Sequence, residues 1–194
     1  IADMDAYREK LKGFVYRTGV SMRSVFHAAR EGKPTRIVFA DGEDERVLSA
    51  AQIIIDEKLT FPILIGRPDV IAARLEKIGL KLVMGKDFEV VDPNKDERYK
   101  ECWSAYHQLM RRRGVTIEIA KTRMRTDNTV IGGMLVRLGY ADGMICGVKG
   151  GFSHHLQQVD DVIGKAPGST MLAAMNQLIL PSGALFITDT AVNE

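Results

Sequence analysis

Arg36-Ile37-Val38-Phe39-Ala40-Asp41-Gly42-Glu43-Asp44-Glu45-Arg46-Val47-Leu48 holds a strand, a turn and a helix start in one run. Ile37 to Ala40 is a short apolar stretch, as expected for a strand buried on both faces. Asp41-Gly42-Glu43-Asp44 reads as a turn that opens a helix, with acids where the helix dipole favours them. Val47, Leu48, Ala51, Ile54 and Ile55 then recur at helical spacing.

The same alternation continues outward. Phe61-Pro62-Ile63-Leu64-Ile65 is a second strand closed by Gly66, and Arg67-Pro68-Asp69 opens a helix through Val70, Ile71, Ala73, Leu75 and Ile78. Phe88 to Val91 is a third strand. A long helix from about Asp96 to Arg113 carries Tyr99, Trp103, Tyr106 and Met110 on one stripe and stops at Gly114. A further helix begins near Thr116, and Thr126-Asp127-Asn128 caps another over Val130 to Leu138. Ala141 to Gly147 is a strand running into a glycine-containing loop, followed by an amphipathic helix with Leu156, Val159, Val162 and Ile163. Leu172 to Leu180 reads as helix or strand, and Ala184 to Ile187 as a final strand. Strand and helix alternating through short connections predict an α/β fold, a three-layer doubly wound parallel sheet. On the N-terminal side, Tyr7, Leu11, Phe14 and Val15, then Met22, Val25, Phe26 and Ala29, predict helix over 1–35 with a break at Thr18-Gly19.

Composition narrows the function classes. The chain has 194 residues, of which 45% are hydrophobic and 27% charged, with a formal net charge of +2. That charge is too small for a nucleic-acid field to be argued from charge alone, and no nucleic-acid partner is expected. No apolar run approaches the roughly 18 residues of a membrane span, and no signal peptide is expected, because the first residues are charged where an apolar core would be needed. Cys102 and Cys146 have no CxxC spacing, which argues against zinc or redox motifs, and unpaired thiols fit a reducing cytoplasm. The chain begins at Ile1, so it is expected to be part of something longer.

In open α/β sheets, ligands bind beyond the carboxyl ends of the strands. Three loops qualify: 41–44, 147–153 and 188–193. In the second, Lys149, Gly150, Gly151 and Ser153 suggest an anion cradle at a helix N-terminus. The alternative is a tight turn that merely needs glycine. Neither GxGxxG nor GxxxxGK[ST] is present. His154 and His155 point about 100° apart on a helix, which disfavours a shared metal and favours a surface or capping role. Arg111, Arg112 and Arg113 are explained by the helix dipole, yet arginine forks also match phosphate. Ser153 has no evident base, and Asp160-Asp161 read as a solvated face.

These residues carry a family likeness. The run from Arg36 to Leu48, Ile63-Leu64-Ile65-Gly66, Arg113-Gly114-Val115-Thr116, Gly139 to Gly147 and Phe186 to Asn193 resemble motifs of the phosphate acetyl/butyryltransferase family, in the family's order. Within it, the chain is most similar to the C-terminal modules of bacterial NADP-dependent malic enzymes, through Tyr7-Arg8-Glu9 to Tyr16, Gly42 to Leu48, Thr126 to Thr129 and Val159 to Gly164. The resemblance implies a connector over 1–35, a first lobe over 36–147 and the beginning of a second, incomplete lobe over 148–194. It also implies dimerisation, with acyl-CoA in the cleft between lobes. Lys149, Gly150, Gly151, Ser153, Arg112, Arg113 and Asn193 are then the candidate acyl-CoA or phosphate contacts. NADP and Mg or Mn would belong to an upstream malic-enzyme part, and acetyl-CoA would be the effector.

The departures from the pattern carry information. Working transacetylases resemble one another in placing an arginine where this chain has Met110, and an arginine followed by proline where it has Gln157-Gln158. Their C-terminal Ser-Arg and Asp have no counterpart before Glu194. The expectation is therefore a regulatory, oligomerising, acyl-CoA-sensing module without catalytic residues of its own. The alternatives are an active phosphate acetyltransferase and a purely structural dimerisation unit.

Overall fold

The computed structural model describes residues 25–180, 183–190 and 192–193, and these fall into two compact units. One is 34–164. The other comprises residues on either side of it. The expected helix over 1–24, with Tyr7, Leu11, Phe14, Val15 and Met22, lies outside the described residues.

The unit 34–164 is built on four parallel strands: β1 (Arg36–Phe39), β2 (Phe61–Ile65), β3 (Glu89–Val91) and β4 (Gly143–Ile145). Their spatial order is β3-β2-β1-β4, with Val38 facing Ile63 on one side and Met144 on the other. The helices are α1 (Glu45–Asp56), α2 (Pro68–Ile78), α3 (Tyr99–Met110), α4 (Ile117–Thr126), α5 (Asn128–Arg137) and α6 (Phe152–Val162). A 3-10 turn, Arg111–Arg113, follows α3.

Strand alternation decides which helix covers which face. Val38, Ile63, Ile65 and Val91 pack with Cys102, Tyr106 and Met110 of α3, Met124 of α4, Ile131, Met134 and Leu135 of α5 and Val162 of α6. Their neighbours Phe39 and Leu64, with Phe88, face the other way onto Val47, Leu48, Ile71 and Leu75 of α1 and α2. Each side chain buried in this way contributes about 1.5–3 kcal/mol. The result is the expected three-layer α/β arrangement. Residues 148–164, assigned from sequence to the opening of a second lobe, pack here against α5: a Cβ on Gly133 would stand 3.0 Å from Val162.

The helix starts follow their capping residues. Asp44 accepts from the Arg46 amide, Thr116 from Ile119 and Asp127 from Val130. Gly79 and Gly114 end α2 and the 3-10 turn at positive φ, as left-handed caps.

The second unit departs from expectation. β5 (Met175–Leu180) and β6 (Gly183–Thr188) form an antiparallel pair, a sheet of their own. The run Leu172–Leu180 is thus strand from Met175 onward, and the last strand does not extend the parallel sheet. Leu178, Leu185, Phe186 and Ile187 are exposed on this hairpin. Residues 25–31 are helical, and Val25 and Phe26 are exposed.

Candidate functional site

Strand order reverses between β1 and β4, because β1 leads to β2 on one side and receives β4 on the other. β1 and β4 stay paired to their carboxyl ends, and the helices that follow them pack on opposite faces, which defines a crevice above the two ends, the usual ligand position of such a sheet. Two of the three candidate loops meet there. The Asp41 carboxylate, after β1, accepts the Val148 N–H at 3.0 Å. The Arg46 guanidinium reaches the Val148 carbonyl at 3.4 Å, and Lys149 Nζ stands 3.7 Å from Asp44. The third loop, 188–193, follows β6, a strand of the separate antiparallel pair. Asn193 donates to the Leu172 carbonyl at 2.8 Å and to Asp189, within its own unit.

The turn after β1 is held closely. A Cβ on Gly42 would lie 2.7 Å from the Ile65 carbonyl oxygen, so only glycine lets the turn rest on β2. Glu43 crosses to the loop after β2, accepting the Arg67 amide at 3.0 Å and its guanidinium at 2.8 Å. The bond from Arg67 holds the Glu43 carboxyl at about 2. Arg46 does the same for Asp44, also held at about 2. Both acids stay charged at neutral pH.

Helix α5 enters the crevice from the opposite face. Asn128 donates its amide to the Ala40 carbonyl at 2.9 Å. Buried Thr129 places its hydroxyl 2.9 Å from His155 Nδ1, and His155 Nε2 lies 2.6 Å from the Lys149 carbonyl. Gln158, buried beside them, donates through Nε2 to Asp127. Among the described residues its Oε1 has no hydrogen-bond partner. α6 starts at Gly151 with no side-chain cap, whereas α1 and α5 carry the carboxylates of Asp44 and Asp127 at that position. The His154 and His155 amides bond to the Gly151 carbonyl, so an acceptor at this helix start would meet the amides of Phe152 and Ser153.

The sequence candidates divide accordingly. Lys149, Gly150, Gly151 and Ser153 lie together at the crevice, on the loop and first turn of α6. Arg112 and Arg113 belong to the 3-10 turn, and Arg113 pairs with Asp161. Asp161 stands eight residues beyond Ser153, roughly 12 Å along the helix at 1.5 Å per residue. Arg113 is therefore not gathered with the glycine loop. Asp161 is an ion-pair acceptor rather than part of a merely solvated face. The cations nearest the crevice are already engaged: Arg46 with Asp44, Lys77 with Glu45, and Arg74 with the Glu43 carbonyl.

Asn128, Thr129, His155 and Gln158 are contributors that sequence reasoning did not place at the site. The Thr126-Asp127-Asn128 cap was a signal for the first two, since a capped helix start after a crossover marks the ligand edge of the sheet. The cysteines do not take part. Burial pushes the Cys102 thiol up to about 11 and raises that of Cys146. Neither is poised as a thiolate.

Fold and crevice define a doubly wound α/β domain with a switch-point site between β1 and β4. The family model described as phosphate acetyl/butaryl transferase matches residues 20–194, and the chain belongs to that family. It is 46% identical over 193 residues to an NADP-dependent malic enzyme of Haemophilus influenzae, with all of this chain matched to 25% of that protein. Identity is 47% over 194 residues to the NADP-dependent malic enzyme of Escherichia coli, again 25% of its length. The match is to the C-terminal, phosphotransacetylase-like segment of such enzymes, and the chain spans about a quarter of their length. A phosphotransacetylase from Staphylococcus aureus shares the fold with a TM-score of 0.77 and 24% identity, covering 89% of this chain and 52% of that one.

Proposed function

We propose that this chain is the regulatory and oligomerising phosphotransacetylase-like part of an NADP-dependent malic enzyme, and that it binds acetyl-CoA or a related acyl-CoA without transferring the acetyl group. The observation that carries the reading is the fate of the two positions where working transacetylases resemble one another in carrying arginine. Met110 is buried in the apolar core at 5% exposure. Gln157 is exposed but uncharged, and its neighbour Gln158 is buried and spends its amide on Asp127. Neither position supplies the positive charge that an acetyl phosphate would need during transfer. The glycine loop and the uncapped start of α6 remain as a place for an anionic group such as a CoA phosphate.

NADP and a divalent metal, implied by the parent reaction of malate oxidation and decarboxylation to pyruvate, do not fit these residues. The turn after β1 carries Asp41, Glu43 and Asp44 where a pyrophosphate would need glycine amides. Among the described residues no group of three His, Cys, Asp or Glu is placed to hold a metal. They are assigned to the parent's remaining length. Among the described residues no helix is long and apolar enough to cross a membrane. A cytoplasmic setting, self-association and the absence of nucleic-acid partners are parts of the same proposal.

Regulation requires that acetyl-CoA bind two global states with different affinity. Calorimetry on the full-length natural enzyme should give saturable acetyl-CoA binding, and malate turnover should change over the same concentration range. No heat of binding together with indifferent turnover overturns the reading.

A further inference from the structure

We infer that His155 is the positioning residue of the crevice, the side chain on which the backbone of the Gly147–Gly151 loop is shaped. The inference rests on the proposed effector site and names what orders it. Three observations converge. First, the imidazole bridges two elements that are otherwise separate in sequence: Nδ1 is 2.9 Å from the hydroxyl of buried Thr129 on α5, and Nε2 is 2.6 Å from the Lys149 carbonyl. Second, the loop folds around the ring. Gly150 has φ +95° and a Cβ there would stand 2.8 Å from His155 Nε2, while one on Gly147, at φ +96°, would meet His155 Cδ2 at 3.8 Å. Third, the other side of the loop is held by Asp41 on Val148 N–H, and α5 is tied to the end of β1 through Asn128 and the Ala40 carbonyl.

The bonding fixes the tautomer. A carbonyl oxygen can only accept, so Nε2 carries the hydrogen that goes to Lys149. In the neutral ring Nδ1 then accepts from the Thr129 hydroxyl. His155 thus ties the loop to α5 through one bond at each ring nitrogen. Through it the packed core beneath α5 sets the loop that precedes the uncapped α6.

The test uses the full-length natural chain with His155→Phe, His155→Gln and His155→Asn. Phenylalanine keeps the ring volume but neither bond; glutamine can reach the Lys149 carbonyl with an N–H; asparagine, shorter by a methylene, reaches only Thr129 on the Nδ1 side. Hydrogen exchange of the loop amides over 147–151 and acetyl-CoA titration are read together. His155→Phe should speed loop exchange and weaken acetyl-CoA binding by about tenfold, the upper end of one hydrogen bond's net worth. His155→Gln should recover most of both and His155→Asn little. Nitrogen spectra of the unsubstituted enzyme should place hydrogen on Nε2. Unchanged loop exchange in His155→Phe, equal behaviour of the Gln and Asn variants, or the Nδ1–H tautomer each overturn the inference. If the unsubstituted enzyme binds no acetyl-CoA, the effector reading fails while loop exchange and tautomer still judge the role of His155.

Discussion

Gln158 gives its amide N–H to the carboxylate of Asp127, so a buried side chain of α6 serves the residue that caps α5. The same nitrogen stands 2.9 Å from His154 Nε2. An uncharged donor is what this place accepts, because Asp127 already brings the negative charge.

Gln158→Glu would set two carboxylates against each other in a buried spot. The expected loss is about 3 kcal/mol at neutral pH, typical of an uncompensated buried charge. The new acid is favoured protonated in the fold, so its pKa rises and the deficit shrinks as pH falls through it. Urea unfolding midpoints between pH 8 and pH 4 check this; a deficit independent of pH contradicts it.

Gly42→Ala places a methyl 2.7 Å from the Ile65 carbonyl oxygen and 2.8 Å from its amide nitrogen. Backbone on both sides cannot yield as a flexible side chain would. A loss of about 2 kcal/mol is expected, within the range for overpacking a closed site. A shift in urea midpoint without a change in slope measures it.

The crevice rim should weaken in acid. Glu43 is held at about 2, against an ordinary 4.5, first by the bond from Arg67 and then by the charges of Arg67 and Arg74. A carboxylate with a depressed pKa contributes stability that is complete above its unfolded value. That contribution is lost as pH falls from about 4.5 toward 2. Arg67 is exposed, so the step is small and shrinks further in salt. Glu43→Gln should flatten the stability curve in this window and leave its neutral-pH shape alone. Unfolding measured across the window at low and high salt is the check.

Met110→Arg does not recreate a phosphate clamp. Met110 belongs to the buried cluster of Tyr106, Val115 and Met134, so a guanidinium there would be buried among apolar side chains. A loss of about 3 kcal/mol is expected from burying an unpaired charge. Thermal unfolding of the variant tests the loss, and a variant as stable as the parent contradicts the core placement.

Much of this was legible in the sequence for identifiable reasons. The apolar run Ile37–Ala40, the acids at Asp41–Asp44 and the caps at Thr116 and Asp127 are local signals, and each formed the expected element. Sheet order was not local. That β4 returns beside β1 depends on Val38 packing with Met134 and Ile131 across one face, which no spacing reveals. The run Leu172–Leu180 is apolar without a period, and such runs do not distinguish strand from helix. His155 looked like a surface residue because its partners, Thr129 and the Lys149 carbonyl, are brought to it only by the fold. Asn193 shared a motif with the expected site, yet its amide is used within its own unit.

On the proposed function the crevice binds an acylated ligand but lacks the charge to transfer the acyl group. Full-length natural enzyme supplied with acetyl phosphate and CoA measures that directly, through the rate of acetyl-CoA formation. No rate above the uncatalysed background is expected, with the same preparation active on malate. Robust acetyl-CoA formation would contradict it and place other cations in the role left empty by Met110 and Gln157.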